Sequence, residues 1–80
     1  MTKNALPHSP IRFFGMKELG KIIRRIRKAR GLTQVHLAMQ TGTSQRFISQ
    51  VENGKESAEA GKVMLLIRLL DFEIQLVEIK

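Results

Sequence analysis

Seven basic side chains fall between Lys17 and Arg30, with Glu18 the one acid among them. Across residues 1–55, eleven Lys and Arg stand against two acids, whereas residues 56–80 hold three against five. The positive field therefore belongs to the first two thirds of a chain whose formal charge is +7. A one-sided basic field of this size favours polyanions, nucleic acid before a membrane surface, although a solvated helix face carries such charges equally well. Other chemistry is scarce. The absence of cysteine excludes thiolate zinc sites, disulfides and cysteine nucleophiles. His8 and His36 are far apart and have no acidic partner at ligand spacing, so neither a metal nor a cofactor is expected. No nucleophile, base and orienting group share an arrangement, and 80 residues leave little space for a closed pocket, so catalysis is not expected.

The elements that must position the basic residues are helical. Residues 1–15 read as an arm, because Pro7 and Pro10 lack an amide donor and bias Leu6 and Ser9 toward extended backbone. From Met16 the period changes. Leu19, Ile22, Ile23 and Ile26 form one apolar stripe at helical spacing, while Lys21, Arg24, Arg25 and Lys28 point elsewhere. Gly31 suits a left-handed stop. Thr33 suits the N-cap of a second helix, Gln34 to about Thr41, which ends at Gly42. A third helix, capped by Thr43 or Ser44, runs to about Glu52 and ends at Asn53-Gly54.

The remainder differs in character. A fourth helix is expected from about Ala58 to Asp71, with more apolar residues (Val63 to Ile67, Leu69, Leu70) than one face accommodates. Either it is wholly buried or its second face meets another subunit, and a domain this short has few ways to surround a helix. Beyond it, Glu73 to Ile79 turns to near alternation with β-branched residues, a strand pattern. A lone strand has no ladder partner, so pairing with its own copy across a two-fold axis, or with Ile11 to Phe14, is needed.

Within Leu32 to Lys55, LTQVHLAMQTGTSQRFISQVENGK, Ala38, Gly42, Ile48 and Val51 fall at offsets 0, 4, 10 and 13. A helix-turn-helix needs a small residue where two helices cross, a residue tolerant of positive φ in the turn, and apolar residues locking the second helix on the first. These four residues meet those needs, with Leu37 completing the inner face. The run resembles the XRE-like family of phage and bacterial repressors, with its Leu-Thr-Gln opening and Glu-Asn-Gly close. The resemblance covers Leu19 to about Lys55 closely and reaches Ile79 more weakly. The residues after Lys55 look like those of HipB-type antitoxins, in which a helix and a short terminal strand complete a dimer. Some of those proteins carry a flexible tail past the strand, and this chain stops at Lys80.

The resemblance implies roles residue by residue. Gln45, Arg46, Ser49 and Gln50 match the positions that read base edges from the third helix in the major groove. Their chemistry suits that task, since Gln bonds adenine twice, Arg forks onto guanine O6 and N7, and Ser serves several bases. Gln34 matches a phosphate-binding glutamine at a helix N-terminus. Thr33, Ser44, Asn53 and Lys55 are further phosphate candidates by position, Thr33 and Ser44 being equally suited to plain capping. Arg27 matches an arginine that pairs with Glu52, a structural ion pair rather than a DNA contact. Phe47 follows the apolar offsets and belongs to packing, and Val35 and Met39 read as ordinary surface or part of a protein-binding spot. Leu69, Leu70, Ile74, Leu76 and Ile79 are the expected dimer contacts.

The expected molecule is all-α, a lambda-repressor-like helix-turn-helix bundle of four to five helices with a short C-terminal β-strand that forms a dimer. Its divisions are an arm over 1–15, a DNA-binding domain over 16–71 and a dimerising strand over 72–80. Its implied partners are double-stranded operator DNA bearing an inverted repeat, a second copy of itself, and a HipA-type serine/threonine kinase toxin whose operon it represses. A stand-alone phage-type repressor, or an antitoxin acting mainly by contact with the toxin, are the alternatives. No apolar run is long enough to span a bilayer and no signal-type segment opens the chain, so a cytoplasmic location is expected.

Overall fold

The computed structural model describes residues 10–80; of the expected arm, residues 1–9, Lys3 and His8 among them, lie outside the described residues. Four helices follow in order: α1 (Met16–Ala29), α2 (Gln34–Thr41), α3 (Gln45–Glu52) and α4 (Ala60–Leu69). Each of α2 and α3 begins on a side chain that accepts a hydrogen bond from the first turn. Thr33 Oγ1 takes the amide of His36 at 3.0 Å, and Ser44 Oγ takes that of Phe47 at 3.1 Å. Ser44, not Thr43, is therefore the cap of α3. At the start of α1 the cap position is Gly15, and Glu18 reaches back to accept from the Phe14 amide.

One device ends all four helices. An amide five residues further along donates to an unpaired carbonyl of the last turn: Leu32 to Arg27 at 3.1 Å, Thr43 to Ala38 at 2.9 Å, Lys55 to Gln50 at 3.0 Å and Phe72 to Ile67 at 3.0 Å. This closure requires a left-handed residue just before the donor. Gly31, Gly42 and Gly54 supply it at the first three ends, with φ of 72°, 68° and 82°. At the fourth, Asp71 takes it at φ 68°, a conformation that a side chain makes costly.

The helices enclose one core. Ile23 of α1, Leu37 of α2, Ile48 and Val51 of α3, and Leu66 beside α4's C-cap Leu70 lose nearly all solvent contact. Burying each of the larger side chains stabilises the fold by about 1.5–3 kcal/mol. Ala38 lets α2 approach the other helices, and Gly20 does the same where α1 meets the end of α3. A Cβ on Gly20 would collide with the backbone carbonyl oxygens of Val51 and Glu52.

Three expectations need correcting. Helix α4 is shorter than residues 58–71, because Glu59 is already extended at its N-cap and the left-handed Asp71 stops it. Leu70 is not a free dimer contact: at 1% exposure it is sealed in the chain's own core by the closing turn. Residues 73–80 are exposed and form no ladder, and no strand occurs among the described residues. The reason is physical. Among the described residues neither Ile11–Phe14 nor any other segment pairs with its backbone, and an unpaired strand gains nothing over solvated backbone.

Candidate nucleic-acid interface

The interface builds up from a buried ion pair. Arg27 points from α1 into the junction with α3, where its Nε donates to Glu52 Oε2 at 2.6 Å and its Nη2 to Oε1 at 3.1 Å. Its Nη1 donates to the Leu32 carbonyl at 2.7 Å, which ties the same guanidinium to the loop before α2. Both residues are buried, at 7% and 6% exposure. A forked guanidinium matches a carboxylate in the plane, so the pair fixes angle as well as distance. Arg27 thus spends three of its five N–H donors inside the chain, in a buried position.

From Glu52 the hydrogen bonds continue outward. Gln34, the first residue of α2, donates Nε2 to Glu52 Oε1 at 3.0 Å. Gln45, the first residue of α3, donates Nε2 to Gln34 Oε1 at 3.3 Å. A primary amide has two donors and one acceptor, so Gln45 keeps one N–H and its carbonyl free toward solvent. Those are the two groups that adenine's N7 and N6 would take. The chain of bonds from Arg27 to Gln45 restricts where that amide can stand before any ligand arrives.

The rest of α3 shows the same division. Ile48, Val51 and Glu52 face inward, whereas Gln45 and Arg46 are exposed and Ser49 and Gln50 are half-buried. Arg46 makes no ion pair within the chain among the described residues. Asn53 Nδ2 leans on Ser49 Oγ at 3.4 Å and Lys55 Nζ on Gln50 Oε1 at 3.4 Å, both contacts at the limit of hydrogen bonding. The second half of the outward face of α3 is therefore neighboured by Asn53 and Lys55, two of the residues expected to bind phosphate. Phe47 is half-buried against the core, with Lys62 Nζ 5.8 Å from its ring centroid. Thr33 and Ser44 spend a lone pair each on capping, which aims the N-termini of α2 and α3 and leaves the hydroxyl protons free.

Of the basic cluster, Lys17, Lys21, Arg24, Arg25 and Lys28 are exposed on α1. They lie away from the buried stripe and add field without local partners. Sequence reasoning did not single out Gly20 or the second duty of Gln34. A glycine inside an otherwise strongly helical stripe was the available signal for the first, since it costs helix stability unless another backbone passes close by. The second left no trace in residue type.

A short helix capped onto a preceding one through a glycine turn, its polar face open and its inner face locked by an ion pair, defines a helix-turn-helix transcriptional regulator. The chain belongs to the helix-turn-helix family of XRE type, whose family model matches residues 23–77. It is 36% identical over 59 residues to the uncharacterized HTH-type transcriptional regulator y4mF of Sinorhizobium fredii (strain NBRC 101917 / NGR234), covering 74% of this chain and 78% of that protein. Among solved structures, its fold is similar to a chain of a HipA–HipB–O2–O3 complex, with a TM-score of 0.80 and 22% identity over 89% of this chain and all of the other. A HipB–O4 20mer complex matches with the same TM-score, identity and coverage. No helix among the described residues is long and apolar enough to cross a membrane.

Proposed function

We propose that the protein is a homodimeric repressor that binds an inverted repeat in duplex DNA, and that it serves as the autoregulatory antitoxin of a HipA-type kinase toxin operon. Residues 16–71 form the DNA-binding unit and residues 72–80 the dimerising segment. The observation that carries the reading is the face of α3 and the start of α2: Gln45 and Arg46 exposed, with Gln34 holding Gln45 from behind. Gln45, Arg46, Ser49 and Gln50 read base edges. Gln34, Thr33, Ser44, Asn53 and Lys55 meet phosphates, where the partial positive charge of a helix N-terminus adds to the attraction. Two such faces, about 34 Å apart across a two-fold axis, engage successive major grooves on one side of the duplex.

The dimer is supported by the apolar surface that the single chain leaves open, Leu69, Ile74, Leu76 and Ile79 among it. The antitoxin assignment is supported by the likeness to HipB as found in complex with HipA. Titration of the protein against its own upstream DNA at two salt concentrations tests the repressor reading. Preference over scrambled duplex is expected, and Arg46→Ala should cost about 1–3 kcal/mol of that preference with unfolding unchanged. Equal affinity for both duplexes overturns it, because a steep salt slope without preference reports phosphate contact alone. Co-purification with a kinase encoded alongside supports the antitoxin. A neighbourhood of phage genes without a toxin favours a stand-alone repressor.

A further inference from the structure

The last turn of α1 and its C-cap carry two arginines, Arg27 and Arg30, and both reach carbonyl groups outside the helix. Arg27 holds α3 and the loop before α2, as described above. Arg30 turns the other way. Its Nη2 donates to the carbonyl of Leu70 at 3.3 Å, and its guanidinium carbon lies 5.8 Å from the centroid of the Phe72 ring. These two residues flank Asp71, the left-handed residue that redirects the chain from α4 into the terminal segment.

The surroundings of that turn make the contact consequential. Phe72 is half-buried against the core, and every residue from Glu73 to Lys80 is exposed. The turn borders an open cleft lined by Arg68, Asp71, Phe72 and Glu73. The turn is closed by the Asp71 amide on the Arg68 carbonyl at 2.9 Å and the Phe72 amide on the Ile67 carbonyl at 3.0 Å, but it carries a side chain where the other three turns have glycine. A planar cation that bonds the carbonyl before the turn and faces the ring after it adds to that hold from outside the turn.

We infer that Arg30 is a positioning residue that sets the direction in which residues 73–80 leave the domain, and so tunes assembly of two copies through that segment. The inference rests on the dimer reading above. It takes Arg30 out of the general positive field and makes the end of α1 a common anchor. From one helical turn the chain fixes both the helix pair that faces DNA and the segment that faces the second subunit.

Sedimentation of the full chain tests it, with Arg24→Ala as a control that removes an equal charge from an exposed position of the same helix. Arg30→Ala should weaken the dimer about tenfold, the size expected for losing one hydrogen bond and one cation–π contact. Arg24→Ala should leave it unchanged. Equal dissociation constants for both variants overturn the proposal. Backbone ¹⁵N relaxation, recorded on dilute samples, separates this claim from the dimer itself. Increased fast motion of Phe72 to Val77 in Arg30→Ala, with α1 to α4 unaltered, supports the positioning role even if the wild type stays monomeric, an outcome that removes the dimer reading alone. Unchanged relaxation in those residues overturns the positioning role. Arg30→Lys should behave as Arg30→Ala does, because an ammonium group cannot bond and stack in one plane.

Discussion

The junction of α1 with α3 and the stretch from α4 to Lys80 put their apolar residues to different ends. At the junction every polar group is answered inside the chain. Arg27 meets Glu52 and Leu32, Gln34 meets Glu52, and Gly20 lets two backbones touch. In the last stretch Val63, Leu66, Ile67 and Leu70 complete the same core. Met64, Leu65, Leu69, Ile74, Leu76, Val77 and Ile79 remain open to water, Leu76 fully so. The first region is satisfied within one copy, whereas the second leaves apolar surface exposed.

Breaking the first region should have the largest effect. Arg27→Ala strands the buried Glu52 carboxylate and should destabilise the fold by about 3–5 kcal/mol in urea unfolding. Replacing both residues by apolar ones of similar size should cost much less, because no charge is then left unpaired. Gly20→Ala comes next. Its methyl group meets two carbonyl oxygens that belong to backbone and cannot rotate aside, so a loss of about 2–3 kcal/mol is expected, with Gln45 and Arg46 still in sequence place but less well held. Gly54 is under a similar constraint, with Lys17 Cα 2.7 Å from where a Cβ would stand.

Changes in the open region should be smaller and of other kinds. Asp71→Gly relieves the left-handed strain and should raise unfolding stability by up to about 1 kcal/mol, with a looser terminal segment. Leu76→Ser removes a side chain that contacts nothing in the single chain. Monomer stability measured at high dilution should stay within about 0.5 kcal/mol of wild type, while dimer affinity in sedimentation falls. A large loss of monomer stability from this substitution would erase the contrast between the two regions.

Much of the fold can be read from residue order because its signals are local. The starts of α2 and α3 follow from Thr33 and Ser44, and their ends from Gly42 and Gly54, each acting within one turn of backbone. The apolar period of α1 likewise names its buried side. The pairing of Arg27 with Glu52 came from likeness to a family pattern, and spacing alone would not have chosen Glu52 over another acid. The inward turn of Leu70 was missed because two adjacent leucines, Leu69 and Leu70, look alike in a run of apolar residues. A left-handed Asp71 and the Phe72 amide decide which of them the core takes.

Residue order thus settled the boundaries of α2 and α3, the charge distribution and the polar character of one helix, all of which depend on neighbours a few positions apart. Packing in three dimensions settled the rest. It drew Gln34 between Glu52 and Gln45, bonded Arg27 to Glu52 and Arg30 to the Leu70 carbonyl, and left residues 73–80 exposed. Those outcomes join groups 11 to 40 residues apart along the chain. The cost and gain of bringing such groups together depend on burial and on the position of every intervening element, which no short stretch of sequence contains.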